Sequence, residues 1–287
     1  MHLALGLVLL TLAAPAQALR VQDDSGVVVE LATPARRVVS LAPHLTELVF
    51  AAGAADRLVG VSSHSDYPPA ARSIEQVAVS GRVNFERLLK LAPDLVLAWH
   101  SGNNTRDLER LRGLGLRVFV TEPRRPEDVG RLLRQLGPLL GANTEPAARR
   151  FESALAALRQ ANAGKRTLSV LYAVWDRPLL TVNGEHMISH ALSLCGARNA
   201  YAEEKLLVPA VSREDLVRRQ PDAIVIGGEH GGAERLDIWR REFTMLSAVR
   251  ANRLGSVNAD LIERPGPRIV EGAAQLCSLL DTWRAAR

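Results

Sequence analysis

Short, wholly apolar runs alternate with amphipathic stretches along most of this chain. Residues 37–41, 58–62, 95–99, 117–120, 168–174 and 223–225 are short, mainly apolar stretches of three to seven residues bounded by turn formers. They read as buried strands. Between them, residues 45–52, 105–114, 126–140, 187–194, 240–249 and 270–283 place apolar side chains at helical spacing. Residues 27–31 follow the turn-like Asp23-Asp24-Ser25-Gly26 and read as one arm of an edge hairpin. Strands alternating with helices predict an α/β fold built on mainly parallel sheets flanked by helices.

One segment occurs twice. Residues 84–97 read as a capped short helix, a Pro-Asp stop and an apolar strand. Residues 212–225 repeat that order, with Asn84 and Ser212 as caps, Glu86 and Glu214 in the first turn, and Pro93-Asp94 matching Pro221-Asp222. A repeat of this length predicts two similar lobes. The stretch 143–164 reads as one long helix capped by Asn143 or Thr144 and closed by Gly164. The predicted organisation is a leader (1–18), an N-terminal lobe (19–142), an inter-lobe helix (143–164) and a C-terminal lobe (165–287). A lone helical connection predicts limited hinge motion.

The leader rests on the apolar run 3–12 and the small-residue pattern Ala16-Gln17-Ala18, with cleavage expected after Ala18. The run is too short to span a bilayer. An uncleaved anchor is the alternative; no cysteine near the cleavage site could carry a lipid. The expectation is a soluble exported protein. The chain has two cysteines, Cys195 and Cys277, each on a helix-like pattern of the second lobe. In an oxidising compartment they either form a helix-to-helix disulfide or remain two buried thiols.

The 287 residues are 47% hydrophobic and carry a net charge of +5. The arginines are interspersed with glutamates on helix faces, and aromatic residues make up only 4%. No basic run interleaves with aromatics, which speaks against nucleic-acid binding.

Ligands of open α/β sheets sit beyond the carboxyl ends of strands. Side chains placed there are Pro43, His44, His64, Trp99 and His100 in the first lobe, and Trp175, Glu229, His230, Asp260 and Arg264 in the second. Ser80 and Gly81 precede the first repeat helix. Two tryptophans, several imidazoles and few acids suit a large, flat, partly apolar ligand better than a small ion. Either tryptophan could instead be core packing. His44, His64, His100 and His230 fall in expected loops, but their spacing matches no compact metal motif, so no metal site is assigned. Gly-x-Ser-x-Gly, the P-loop and G-x-G-x-x-G after a strand are all missing, and nothing argues for an enzyme. Glu86 and Glu214 are either first-turn acids favoured by the helix dipole or paired knobs for arginines of a two-fold partner.

The motif Arg37-Val38-Val39-Ser40-Leu41-Ala42-Pro43-His44-Leu45-Thr46-Glu47-Leu48 resembles the opening strand and helix of the helical-backbone periplasmic binding proteins of ABC importers. Ser63-His64-Ser65-Asp66-Tyr67-Pro68-Pro69 and Glu263-Arg264-Pro265-Gly266-Pro267-Arg268 narrow the resemblance to corrinoid binders. It extends from about Arg36 to Trp283. The resemblance implies that cobalamin or a related corrinoid is transported as ligand, with no cofactor of the protein's own and no catalysis. It implies ligand contacts at His44, His64, Ser80, Trp99, Trp175, Asp260 and Arg264, and docking on an ABC permease dimer in the inner membrane through Glu86 and Glu214. It also implies a Cys195–Cys277 disulfide and a monomer when free. His64 stands where the family often has tyrosine. Ser80 and a residue near Val208 stand where tryptophans line the cleft. The cleft is thereby less aromatic, which admits cobinamide, and His64 either approaches cobalt or hydrogen-bonds an amide. A haem or ferric-siderophore carrier of the same fold is the first alternative, and a metal-dependent hydrolase the second.

Overall fold

A computed structural model of the protein describes residues 18–228 and 232–285. The apolar run 3–12 and the candidates Glu229 and His230 lie outside the described residues.

The chain opens with an antiparallel hairpin, β1 (Leu19–Gln22) and β2 (Val28–Leu31). The first lobe follows with β3 (Val38–Ser40), α1 (Pro43–Ala51), β4 (Leu58–Ser62), β5 (Gln76–Val79), β6 (Arg82–Val83), α2 (Phe85–Lys90), β7 (Leu95–Trp99), α3 (Thr105–Gly113), β8 (Val118–Thr121) and α4 (Glu127–Leu140). Its strands form one sheet in the order β6-β5-β4-β3-β7-β8. All neighbours are parallel except β5 and β6. Helix α5 (Glu145–Asn162) then packs on α4 at one side and on the second lobe at the other.

The second lobe comprises β9 (Leu168–Ala173), β10 (Trp175–Asp176), β11 (Leu179–Leu180), α6 (Met187–Leu194), β12 (Ala197–Asn199), α7 (Arg213–Arg219), β13 (Ala223–Gly228), α8 (Ala233–Glu242), α9 (Ser247–Arg250), β14 (Leu254–Asn258), α10 (Ala259–Ile262) and α11 (Ile269–Ala285). Its main sheet runs β12-β9-β13-β14, all parallel, with β10 and β11 as a separate hairpin. Both sheets are covered by helices. The inner strands are therefore continuous apolar runs: every residue of β9 and β13 is buried.

The repeat is a repeat of structure. Asn84 Oδ1 accepts from the Arg87 amide (3.0 Å) and Ser212 Oγ from the Asp215 amide (3.1 Å), each satisfying a free N–H of the first turn. Ala92 (φ 41°) and Gln220 (φ 44°) end the two helices in left-handed conformation, each just before its proline. The following aspartates grip the start of each lobe's first strand. Asp94 accepts from the amides of Arg36 and Arg37 (both 2.9 Å), and Asp222 from that of Ser169 (2.7 Å). Pro-Asp thus ties the repeat strand to its sheet neighbour.

Two expectations need correction, and three short strands went unread. Residues 42–44 are not a turn: Pro43 is the first residue of α1, where its fixed φ suits a helix start, so His44 lies in a helix and not in a loop. The helix expected at 240–249 is two helices, α8 and α9. The first begins at Ala233, and the chain breaks at 243–246, where Phe243 stacks on Trp239 at 4.4 Å. The hairpin β5–β6 and strand β12 escaped notice because they are short. Ser80 (φ 48°) and Gly81 (φ 75°) form the turn of that hairpin.

Cys195 and Cys277 form a disulfide joining the end of α6 to α11. On the chain-entropy account, a loop of 82 residues contributes about 4.5 kcal/mol. Among the described residues, no helix is long and apolar enough to cross a membrane.

Candidate functional site

The lobes meet over the carboxyl ends of their strands. A chamber of about 40 Å³ lies between them, lined by Trp99, Glu122 and Arg124 from the first lobe and His186, Leu207 and Glu263 from the second, among others. A larger cavity of about 820 Å³ opens on the second lobe, where Trp175, Asp176, Gly227, Arg235 and Glu263 line it beyond β9 and β13. Its volume lies in the range of small-molecule sites. Glu263 borders both.

Trp99 ends β7 with its backbone amide held by Asn103 Oδ1 (2.7 Å). Asn103 in turn donates to the Leu41 carbonyl (3.0 Å). Gly102 permits this turn, because a Cβ there would lie 2.0 Å from the indole. His44, 1% exposed, meets Trp99 edge-on with ring centroids 5.0 Å apart. His44 Nε2 and Trp99 Nε1 are both buried without a hydrogen-bond partner among the described residues. Burial, and secondarily the charge of Arg264, push the His44 pKa down to about 3, so the ring is neutral. His186 caps α6 by accepting from the Ile188 amide, and burial lowers its pKa to about 4, with Arg124 adding to the effect.

The 263–268 loop carries the charges. Arg264 reaches Asp66 (2.7 Å), Asp260 (2.6 Å) and Glu47 (3.5 Å). Arg268 grips Glu47 with two bonds, Nε to Oε2 at 3.0 Å and Nη2 to Oε1 at 2.6 Å, and stacks on the Tyr67 ring at 3.9 Å. Burial opposes the Arg268 charge, but the hydrogen bond to Glu47 and the attraction of Glu47 and Asp260 together outweigh it and raise the pKa. Burial likewise opposes the Asp66 charge, and the Arg264 hydrogen bond and charge, with a backbone bond and Arg268, together outweigh it, lowering that carboxyl below its usual range. Glu47 is 4% exposed, so two arginines of the second lobe neutralise a buried carboxylate of the first. A second link joins Arg124 to Glu185 at 3.2 Å.

Of the residues expected in the site, His44 touches Trp99, Asp260 pairs with Arg264, and Trp175, 60% exposed, lines the larger cavity. His64 (φ 63°) and Ser80 are exposed neighbours on the first-lobe rim. The Ser80 amide donates to Ser63 Oγ at 3.2 Å, but neither residue lines the chamber. Sequence reasoning missed Glu47 and Glu263 as site members. Glu47 carried one signal, its place one turn after His44 on α1; its arginine partners lie 217 and 221 residues away in the chain. Among the described residues, no three His, Cys, Asp or Glu groups come together as a metal-holding cluster.

Glu86 and Glu214 are the second residues of α2 and α7, and both are exposed. Glu86 pairs with Lys90 at 2.7 Å. Hydrogen bonds from its own backbone and from Ser212 hold the Glu214 carboxyl below its usual range.

A family model described as periplasmic binding protein matches residues 38–260. The chain belongs to that family. A Vibrio cholerae relative named vitamin B12-binding protein is 36% identical over 86% of this chain and 90% of its own length. A Pectobacterium atrosepticum protein of the same name is 38% identical over 88% of this chain and 90% of its own. Among solved structures, the periplasmic vitamin B12 binding protein of Vibrio cholerae superposes with a TM-score of 0.79 at 35% identity, covering 88% of this chain and 99% of that one. A periplasmic heme-binding protein in complex with two hemes superposes with a TM-score of 0.76 at 26% identity, covering 87% and 99%. This chain therefore shares its two-lobed fold, over 88% and 87% of its length, with proteins named as vitamin B12 and heme binders.

Proposed function

We propose that this protein captures cobalamin, or a related corrinoid, between its lobes and delivers it to an ABC-transporter permease. The observation that carries the reading is the 36% identity to the Vibrio cholerae vitamin B12-binding protein over 86% of the chain. In this reading the ligand enters beside Trp99 and Trp175 and meets Asp260 and Arg264, while His64 and Ser80 reach it from the first-lobe rim and His44 supports Trp99. The 40 Å³ chamber is far smaller than a corrin ring, so the ligand occupies the larger cavity or parts the lobes.

Residues 1–18 are a cleaved leader that exports the chain to the periplasm, and the mature protein acts there as a monomer. Glu86 and Glu214, presented at matching points of the two repeats, dock on arginines of a two-fold permease. The double variant Glu86→Ala/Glu214→Ala is expected to lose permease association while keeping ligand affinity. Unchanged association would reduce the pair to helix-start acids.

The function is tested by titrating the mature protein with cyanocobalamin, cobinamide and haem, followed by calorimetry and absorbance. The reading requires saturable one-to-one corrinoid binding. Haem binding with no corrinoid binding would replace the ligand and keep the fold.

A further inference from the structure

The arginines on the walls of the cleft are already neutralised by the protein. Arg264 and Arg268 meet Glu47, Asp66 and Asp260. Arg235 holds Asp176 through two bonds of 2.6 and 3.1 Å, and Trp239 donates to the same carboxylate at 3.0 Å. Arg124 pairs with Glu122 and Glu185, and Arg177 with Glu242.

Glu263 differs from these acids. Its Oε1 accepts from the Tyr172 hydroxyl at 2.9 Å, and no cation pairs with it among the described residues. It lies half-buried at the boundary of the chamber and the larger cavity. The backbone is shaped around it: a Cβ on Gly227 would fall 2.1 Å from Glu263 Oε1 and 2.7 Å from the Tyr172 hydroxyl. Burial raises the Glu263 pKa, the Tyr172 bond and then the charge of the nearby Arg235 pull it part of the way back, and Asp260 adds a repulsive contribution. A desolvated carboxylate that no cation contacts directly gains from any donor a ligand brings and repels a second carboxylate.

We propose that Glu263 is a specificity-determining residue that accepts a hydrogen bond from a carboxamide N–H of the macrocyclic ligand and rejects ligands bearing a carboxylate at that place. The inference rests on the corrinoid reading and refines it. Corrinoids carry carboxamide side arms, whereas haem carries propionates. The same fold can hold either macrocycle, and here a cleft acid with no ion-pair partner among the described residues selects the amide-bearing one.

The test uses cyanocobalamin and its three monocarboxylic acids, in each of which one propionamide arm is hydrolysed to a carboxylate. Affinities are measured by calorimetry at neutral pH on the disulfide-intact mature protein. At least one monoacid should bind wild type about tenfold or more weakly than cyanocobalamin, the scale of one hydrogen bond to a charged group. Glu263→Gln should bring that monoacid to within about threefold of cyanocobalamin, because a neutral amide can donate to the carboxylate. Tyr172→Phe keeps the carboxylate and should keep the discrimination, which holds the test open if Glu263→Gln folds poorly. Equal wild-type affinity for all four ligands overturns the inference and leaves the corrinoid reading standing. So does a weak monoacid that Glu263→Gln fails to recover, or a discrimination that Tyr172→Phe abolishes. Binding of haem but of no corrinoid overturns both.

Discussion

Glu47 and Glu263 mark opposite walls of the cleft and are stabilised by different means. Glu47, on α1 of the first lobe, is buried and held by Arg268 and Arg264 of the second. Glu263, on the second lobe, has one hydrogen-bond partner among the described residues, the Tyr172 hydroxyl, and two cavities beside it. The first arrangement closes its charges on itself and fastens the lobes together. The second leaves an acceptor to be completed from outside. One six-residue loop, 263–268, supplies the open acid and both closing arginines. Burial alone therefore does not separate structural from ligand-facing charge; the supply of counter-charge does.

Removing each acid should expose that difference. Glu47→Ala strands Arg268 in a buried place and should cost about 3–5 kcal/mol, the range for breaking one partner of a buried pair. For a chain of this size that lowers the midpoint by roughly 10 °C. Glu263→Gln keeps an acceptor for Tyr172 and should stay within about 1 kcal/mol of wild type. Thermal unfolding followed by circular dichroism checks both, and equal losses for the two variants would erase the contrast.

A smaller effect sharpens the first wall. His44 titrates near 6.5 when unfolded and at about 3 when folded. The unfolded chain therefore binds more protons between those values, and stability falls as pH falls. The His44 contribution is complete above pH 6.5 and declines toward pH 3, by at most about 1.4 kcal/mol per pH unit. His44→Leu should remove this slope, measured as denaturation midpoints from pH 7 to pH 4. A slope unchanged in His44→Leu would place the titration elsewhere.

Elements set by local rules were legible. Strand β4 at 58–62 and helix α6 at 187–194 stand where the apolar pattern puts them. The repeat caps Asn84 and Ser212 bond as their residue types require. Trp99 and Trp175, placed at strand ends by their position, line the two cavities. The two-residue strand β6 and the three-residue strand β12 were not legible, because so few residues show no period. His44 was misplaced because the residue that starts its helix, Pro43, also suits a turn.

The amino-acid sequence by itself determined the two-lobed α/β architecture and the duplicated helix-strand unit, because hydrophobic period, capping and chain-stopping residues act between near neighbours. Only the tertiary structure decided which charges are closed and which stay open. Glu47 meets Arg264 and Arg268 across more than 200 residues of chain, and Glu263 is left with Tyr172, 91 residues away. Coulomb interaction and desolvation depend on distance through space and on surrounding solvent, and spacing along a chain encodes neither.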